Sequence, residues 1–248
     1  MDTWIDLGST VRRLVAEDAF VLLTDSAVGQ EEEENLQHLA SNLAGEVDPW
    51  RLVPFLTCLH SLDYCRRYAA RARALGVDAL TVVGGDAGSG VKRCLPRSSL
   101  LRADLRGGGG AVGGWVNPNR PAEEQAAHVR GHGFCADYYL TQIVSHHRPT
   151  QVEDWLSQGI DLPGSLGVFY YRNARRTVLE KLARFFPVPV DEVARALGSG
   201  ISPERHCAQT IAFLRSAGVN HVYVCNLGAR LAHVRFKRIR EEVEALTR

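Results

Sequence analysis

No charge of either sign dominates the chain. Its 29 Lys and Arg face 28 Asp and Glu, a formal net charge of +1 over 248 residues. That balance excludes a global field drawing the protein to nucleic acid or an anionic membrane. No apolar run approaches the roughly 20 residues of a membrane span. The start, Met1-Asp-Thr-Trp-Ile-Asp6, lacks the basic and apolar regions of a secretory leader. The cysteines, Cys58, Cys65, Cys94, Cys135, Cys207 and Cys225, contain no C-x-x-C pair. That argues against a zinc ribbon, and a chain of this size needs no disulfide scaffold. Reduced, mostly buried thiols in a cytoplasmic protein are expected. The glycine-rich stretch 84–90 lacks both the G-x-G-x-x-G register and a P-loop lysine, so neither a Rossmann nor an ATP site is read there.

What is present is alternation. Apolar residues at helical spacing (Trp4, Leu7, Val11, Leu14, Val15) predict a helix over 3–17. Residues 19–24 are a continuous apolar run, as expected of a strand buried on both faces. The acids Glu31 to Glu34 open a helix to about residue 44, where they suit the helix dipole. Further strands are predicted at 52–57, 79–83, 111–115, 137–142, 165–171 and 221–225. Helices lie between them, two with capping serines at Ser61 and Ser202. An arginine-rich amphipathic helix closes the chain.

Strict β/α alternation without a composition break predicts one domain, 1–248, with a parallel sheet and helices outside. The expected fold is a (β/α)8 TIM-type barrel that is incomplete at the N-terminus, because the chain starts on a helix and one strand is missing. A gene product beginning further upstream would also account for that shortage. In a barrel the strand C-terminal ends share one face. Here they would bring together Thr24 and Asp25, Cys58, Gly85 and Asp86, Trp115, Gln142, Tyr170 and Tyr171, and Asn226. Acids, carboxamides, aromatic rings and glycine gaps suit a planar heteroaromatic ligand that hydrogen-bonds at its edge. The stretch 80–86 is the centre of this reading, a β-branched strand that delivers the carboxylate of Asp86 to a loop.

The order of motifs resembles the methylenetetrahydrofolate reductase family. Val53-Pro-Phe-Leu-Thr-Cys58 is similar to the family's Pro-His-Leu-Thr-Cys, and the strand ending Gly84-Gly-Asp86 is similar to its Arg-Gly-Asp. Val112-Gly-Gly-Trp-Val-Asn-Pro-Asn119 resembles Val-Ala-Gly-Tyr-Pro-Glu-x-His. Ala136-Asp-Tyr-Tyr-Leu-Thr-Gln142 resembles Ala-Asp-Phe-x-Ile-Thr-Gln. Pro163-Gly-Ser-Leu-Gly-Val168 and the run from Gly218 to Leu227 resemble the two closing motifs.

The resemblance implies a cytoplasmic oxidoreductase of one-carbon metabolism. Such an enzyme reduces 5,10-methylenetetrahydrofolate to 5-methyltetrahydrofolate with NAD(P)H through FAD. It implies substrate contacts at Gln142, Asp86 and Tyr170, and cofactor contacts at Thr24, Gly85, Asp86, Trp115, Asn119 and Arg130. Asp86 would tune the reaction, and Asp25 is the acid offered in place of the family's glutamate. That glutamate stands in a Phe-Glu-Phe-like run on the first strand, which this chain lacks.

Other departures concern the flavin. Gly84 stands where the family has arginine, Phe55 and Asn119 where it has histidine, and Gly131 where it has lysine. An anionic dinucleotide wants such groups, and their joint absence argues against retained FAD. A second expectation follows, of a homologue that binds folate without turnover or serves as a partner subunit. An open barrel edge also calls for a covering chain, from a homo- or hetero-oligomer.

One histidine pair has the spacing of two metal ligands. His128 and His132 have i,i+4 spacing, but Gly131 and Gly133 break the helix and no third ligand is evident. His146 and His147 could reach a pocket rim, with solvated loop residues as the default. No metal is expected. Cys58 and Cys225 at strand ends lack a partnered base, so burial is expected of them.

Overall fold

The computed structural model describes residues 3–24, 42, 43, 45–85, 90–228 and 230–248, with side chains from residue 6 onward. Asp25, Asp86 and nearly all of the helix expected over 31–44 lie outside the described residues. The chain falls into two compact units. One is Met1–Trp115 with Gly131–Tyr139, and the other is Val116–Arg130 with Leu140–Arg248.

In the first unit, helix α1 (Thr3–Ala16) precedes strand β1 (Val21–Leu23). Then follow β2 (Leu52–Thr57), α2 (Leu62–Ala74), β3 (Ala79–Val83), α3 (Ser98–Arg106) and β4 (Ala111–Val116). The strands pair in chain order and in parallel. Leu22 lies opposite Val53, Leu56 opposite Val82, and Leu80 opposite Val112. Sequential order without reversal is the order of a (β/α) barrel wall, whereas a doubly wound sheet switches direction.

Leu80 and Val82 pack among Cys65, Ala69 and Ala72 of α2 and Leu101 and Leu105 of α3. The small residues on α2 let it lie close to the sheet, and each buried Leu contributes about 1.5–3 kcal/mol. Ser61 caps α2 by accepting from the Tyr64 N–H at 3.2 Å, as its sequence position suggests.

β1 is shorter than its apolar run because Asp18 turns the chain in the left-handed region, at φ 61°. Arg51 holds that turn through the Asp18 carboxylate at 2.6 Å and packs its guanidinium over Trp50.

The second unit holds α4 (Ala122–Arg130), most of β5 (Tyr138–Val144), α5 (Pro149–Ser157), β6 (Gly164–Phe169), α6 (Arg176–Leu182), α7 (Val190–Gly198), α8 (Pro203–Ser216), β7 (Val222–Cys225) and α9 (Ala232–Thr247). β6 and β7 pair in parallel, with Gly167 opposite Tyr223. Leu166 and Val168 face Ala208, Ile211 and Leu214 of α8 and Ile239 of α9. Ser202 caps α8 by accepting from the Arg205 N–H at 3.0 Å, and Pro203 sits in its first turn. β6 ends at Phe169, two residues before the expected end.

The fold is therefore parallel α/β, with seven strands among the described residues alternating with helices. Among those residues no helix is long and apolar enough to cross a membrane.

Candidate functional site

In the first unit the ends of β1 to β4 carry several expected contacts. Thr24 follows β1 and is exposed. Cys58 follows β2, is fully buried, and accepts at its carbonyl from the Cys94 N–H at 2.7 Å. Burial, and then Cys94, push its thiol up to about 11, so it is protonated and a poor nucleophile at neutral pH. Trp115 meets Phe55 edge to face at 6.3 Å. Gly85 has φ 76°, and a Cβ there would come within 2.5 Å of Leu59. A Cβ on Gly84 would lie 3.1 Å from the Arg93 guanidinium, which donates to the Gly85 carbonyl at 2.9 Å. A guanidinium thus stands beside position 84 although the residue itself has no side chain.

The glycine gaps read from sequence as room for a ligand are filled by the protein's own rings. The Tyr138 ring covers Gly113, and its hydroxyl shares a hydrogen bond of 2.9 Å with Thr81 one strand further on. Burial drives that phenol up to about 12. The Phe134 ring covers Gly114, where a Cβ would come within 2.6 Å. Arg102 is 2% exposed and lies over Phe134 with 4.8 Å to the ring centre. It donates to the carbonyls of Phe134 at 2.8 Å and Val82 at 3.3 Å. Burial lowers its pKa.

In the second unit the same device recurs. Tyr223 on β7 covers Gly167 on β6, and its hydroxyl donates to the Thr141 carbonyl of β5. Gln142 is half-buried at the end of β5, and its side-chain oxygen accepts from the Ile143 N–H at 2.9 Å. Asn119 donates to the Ile143 carbonyl at 3.0 Å and to Asn117 at 3.1 Å. Gln142 and Asn119 therefore both bond to the main chain of Ile143, one at its N–H and the other at its carbonyl.

Tyr170 is not among them. It is 3% exposed in the core beside α8, and its hydroxyl donates to Glu204 at 2.7 Å. Its main-chain oxygen accepts from Asn226, which has φ 68°. Arg130 lies at the last residue of α4, the end of the helix away from the β4 C-terminus, and donates to the Gln158 carbonyl. Cys225, on β7, is held up at about 12 by burial.

The second unit also assembles a group that sequence reasoning missed in part. β5 ends at Val144, and the next residues carry His146 and His147. The first turn of α8 carries His206. His147 Nε2 is 3.0 Å from His206 Nε2, and His146 Nδ1 is 2.7 Å from Thr210 Oγ1. One ring nitrogen from each histidine lies within 4.8 Å of the others. Tyr171 sets its ring edge-on to His206 at 5.8 Å. Burial, with the neighbouring histidines, pulls His146 down to about 3 and His206 down to about 4. His147 is also lowered, chiefly by burial, with Glu192 raising and Arg195 lowering it.

His146 and His147 are thus not solvated loop residues. They are half-buried against α8, and His206, 59 residues further along, is what makes them a cluster. The earlier pair fares differently. α4 stops at Arg130, and His132 begins a separate turn, so His128 and His132 do not share a helix face.

No family model matches the chain, and no curated protein matches it by sequence. Among solved structures it is similar to a mutant tryptophan synthase alpha-subunit from the hyperthermophile Pyrococcus furiosus. The identity is 14%, the match covers 96% of this chain and 94% of that one, and the TM-score is 0.48.

Proposed function

We propose that the chain is a methylenetetrahydrofolate reductase-like oxidoreductase that binds a reduced folate and takes hydride directly from NAD(P)H. One observation carries the reading. Each block of the resemblance includes most or all of one strand, β2, β3, β4, β5, β6 or β7, with one or more described residues beside it. Motifs grouped at parallel strand ends are the pattern of a barrel active site. An eighth strand closing a full barrel belongs to the same proposal.

Gln142 supports the folate contact, since a carboxamide can fix the orientation of a pterin edge. In this reading hydride leaves the nicotinamide for the exocyclic methylene carbon. The bond from that carbon to N10 breaks, and N10 takes a proton. Asp86 would stabilise the cationic ring electrostatically, and Asp25 or solvent would supply the proton.

FAD does not fit the residues assigned to it. Arg130 is engaged at Gln158, Asn119 is bound to Asn117 and Ile143, and the gaps at Gly113 and Gly114 are filled by Tyr138 and Phe134. Tyr170 as a substrate contact is opposed by its burial against Glu204. The alternative is a folate-binding homologue without turnover.

The test is the purified protein with methylenetetrahydrofolate and NADH or NADPH. A colourless protein that oxidises the nicotinamide supports the reductase. Saturable quenching of tryptophan fluorescence by folate without turnover, weakened about 10-fold or more by Gln142→Ala, supports the binding homologue. No change in fluorescence or melting temperature with folate overturns both.

A further inference from the structure

The clustered histidines His146, His147 and His206 are unused by the folate reading, and they do not depend on it. We infer that His146, His147 and His206 form a binding site for a divalent transition-metal ion of the zinc class.

The spacing is that of ligands around one ion. Zinc holds imidazole nitrogens at about 2.0–2.1 Å, which sets two ligands of a tetrahedron about 3.3 Å apart. His147 Nε2 and His206 Nε2 are 3.0 Å apart, and a nitrogen of His146 lies within 4.8 Å of both partners' ligand atoms. The outer contact is also of the expected kind. A metal-bound imidazole uses its other nitrogen to fix the ring, and His146 Nδ1 meets Thr210 Oγ1 at 2.7 Å.

His206 supplies an independent observation. It is 1% exposed, and among the described residues its Nδ1 has no hydrogen-bond partner, which leaves Nε2, 3.0 Å from His147 Nε2, as its one engaged nitrogen. A buried imidazole nitrogen needs a partner, and an ion would supply one to both Nε2 atoms. Soft and borderline nitrogen ligands select zinc, copper, nickel or iron over magnesium and calcium.

The competing arrangement is a chain of neutral rings joined by hydrogen bonds. In it, two Nε2 atoms facing each other at 3.0 Å share one proton. The ion takes the place of that proton, because a ligating nitrogen presents its lone pair, and the proton moves to the other nitrogen of its own ring, so each imidazole stays neutral. Glu192 and Arg195, from α7, face His147 with opposite signs. Three protein ligands leave the fourth position of a tetrahedral ion to an oxygen from solvent or substrate. The ion would tie the end of β5 to the first turn of α8.

The experiment uses the full chain, made without a histidine tag and stripped with a chelator. Zinc alone is titrated by calorimetry in two buffers of different ionisation enthalpy, and cobalt(II) alone by visible absorption. One equivalent of zinc, little net proton release above pH 7 and a rise in melting temperature are expected. Cobalt should give weak d–d bands without a sulfur charge-transfer band.

His147→Gln and His206→Gln should weaken zinc binding at least about 100-fold, and Thr210→Val about 10-fold through His146. Circular dichroism checks the fold of each variant, and the wild-type cobalt spectrum stands even if a variant does not fold. Absence of zinc binding to the wild type overturns the inference. So does a strong sulfur charge-transfer band, which would put the ion on cysteine, or unchanged affinity in folded variants.

Discussion

The phenol ring of Tyr223 lies against Gly167 on the neighbouring strand, and its hydroxyl donates past that strand to the Thr141 carbonyl. Tyr138 treats Gly113 and Thr81 in the same manner within the other unit. In each case a tyrosine supplies the side chain that the glycine lacks and ties together three strands. Leu80, Val82, Leu166 and Val168, one residue away along β3 and β6, pack instead among the helices.

A Cβ at position 167 would overlap the Tyr223 phenol, so the ring or the strand must move. Gly167→Ala is expected to cost about 1–3 kcal/mol, the usual penalty of overpacking. Gly113→Ala should behave alike. Gly198→Ala is the control, since nothing lies within 4 Å of its Cβ position and it ends α7. It should be neutral or stabilise by up to about 1 kcal/mol. Urea unfolding midpoints measure all three.

Arg102 spends a buried guanidinium on main-chain carbonyls of Phe134 and Val82 and on Ser98. Arg102→Met keeps much of the volume but leaves those acceptors unmatched, at about 1–3 kcal/mol each, while relieving a desolvated charge. A net loss of about 1–3 kcal/mol is expected, with an unchanged slope against denaturant. A more stable variant would show that the charge costs more than its bonds return.

The histidine cluster makes stability depend on acid. Its folded pKa values lie below the ordinary histidine value, at about 3 for His146 and about 4 for His206. Between pH 6.5 and 4 the unfolded chain therefore binds more protons than the folded one. Stability is complete above about pH 6.5 and falls as the pH drops through that window, by at most about 1.4 kcal/mol per unit for each histidine. The urea midpoint followed from pH 7 to 5 measures this. His206→Gln should flatten the slope, and an unchanged slope in that variant would count against burial as the cause.

Tyr170 and Gln142 should come apart experimentally. Tyr170→Phe removes a bond to the Glu204 carboxylate, and a loss of about 1–2 kcal/mol is expected. Its effect on folate binding should be small, because the ring stays in the core. If the proposed folate site holds, Gln142→Ala should weaken folate binding, at a stability cost of about 0.5–1.5 kcal/mol for the lost bond to the Ile143 N–H. Isothermal titration beside a denaturation curve separates them.

Thiol labelling should follow burial. Cys58, Cys65 and Cys207 are buried, and Cys58 is held up at about 11. Maleimide at pH 7.5 should leave these three unmodified in the folded protein and reach them on unfolding, as mass spectrometry of peptides would read out.

The alternation was legible in the sequence because each strand is an apolar run and each helix carries a stripe. Ser61 and Ser202 marked their helix starts correctly for a local reason, since a cap needs only its own three following residues. What the sequence does not carry is the partner across space. Glycines at 113 and 114 signal a close approach, but sequence cannot say that the approaching ring is Tyr138 or Phe134 rather than a ligand.

The direction of Tyr170 is not legible in sequence, because a tyrosine near a strand end can turn toward the site or the core. Its turn toward α8 is decided by Glu204, 34 residues away. His206 carried no motif at all. Its meaning comes from Ser202 starting a helix beside the end of β5, a tertiary fact.

The tyrosine–glycine pairs also limit how this sequence can drift. A side chain cannot be gained at Gly167 or Gly113 until the facing ring has shrunk, and shrinking the ring first opens a void in the interior. Either opening move is penalised, and the pair can be replaced cheaply only if both positions change at once. Lineages related to this chain should therefore keep or exchange the two residues together, a pattern that per-position similarity does not register.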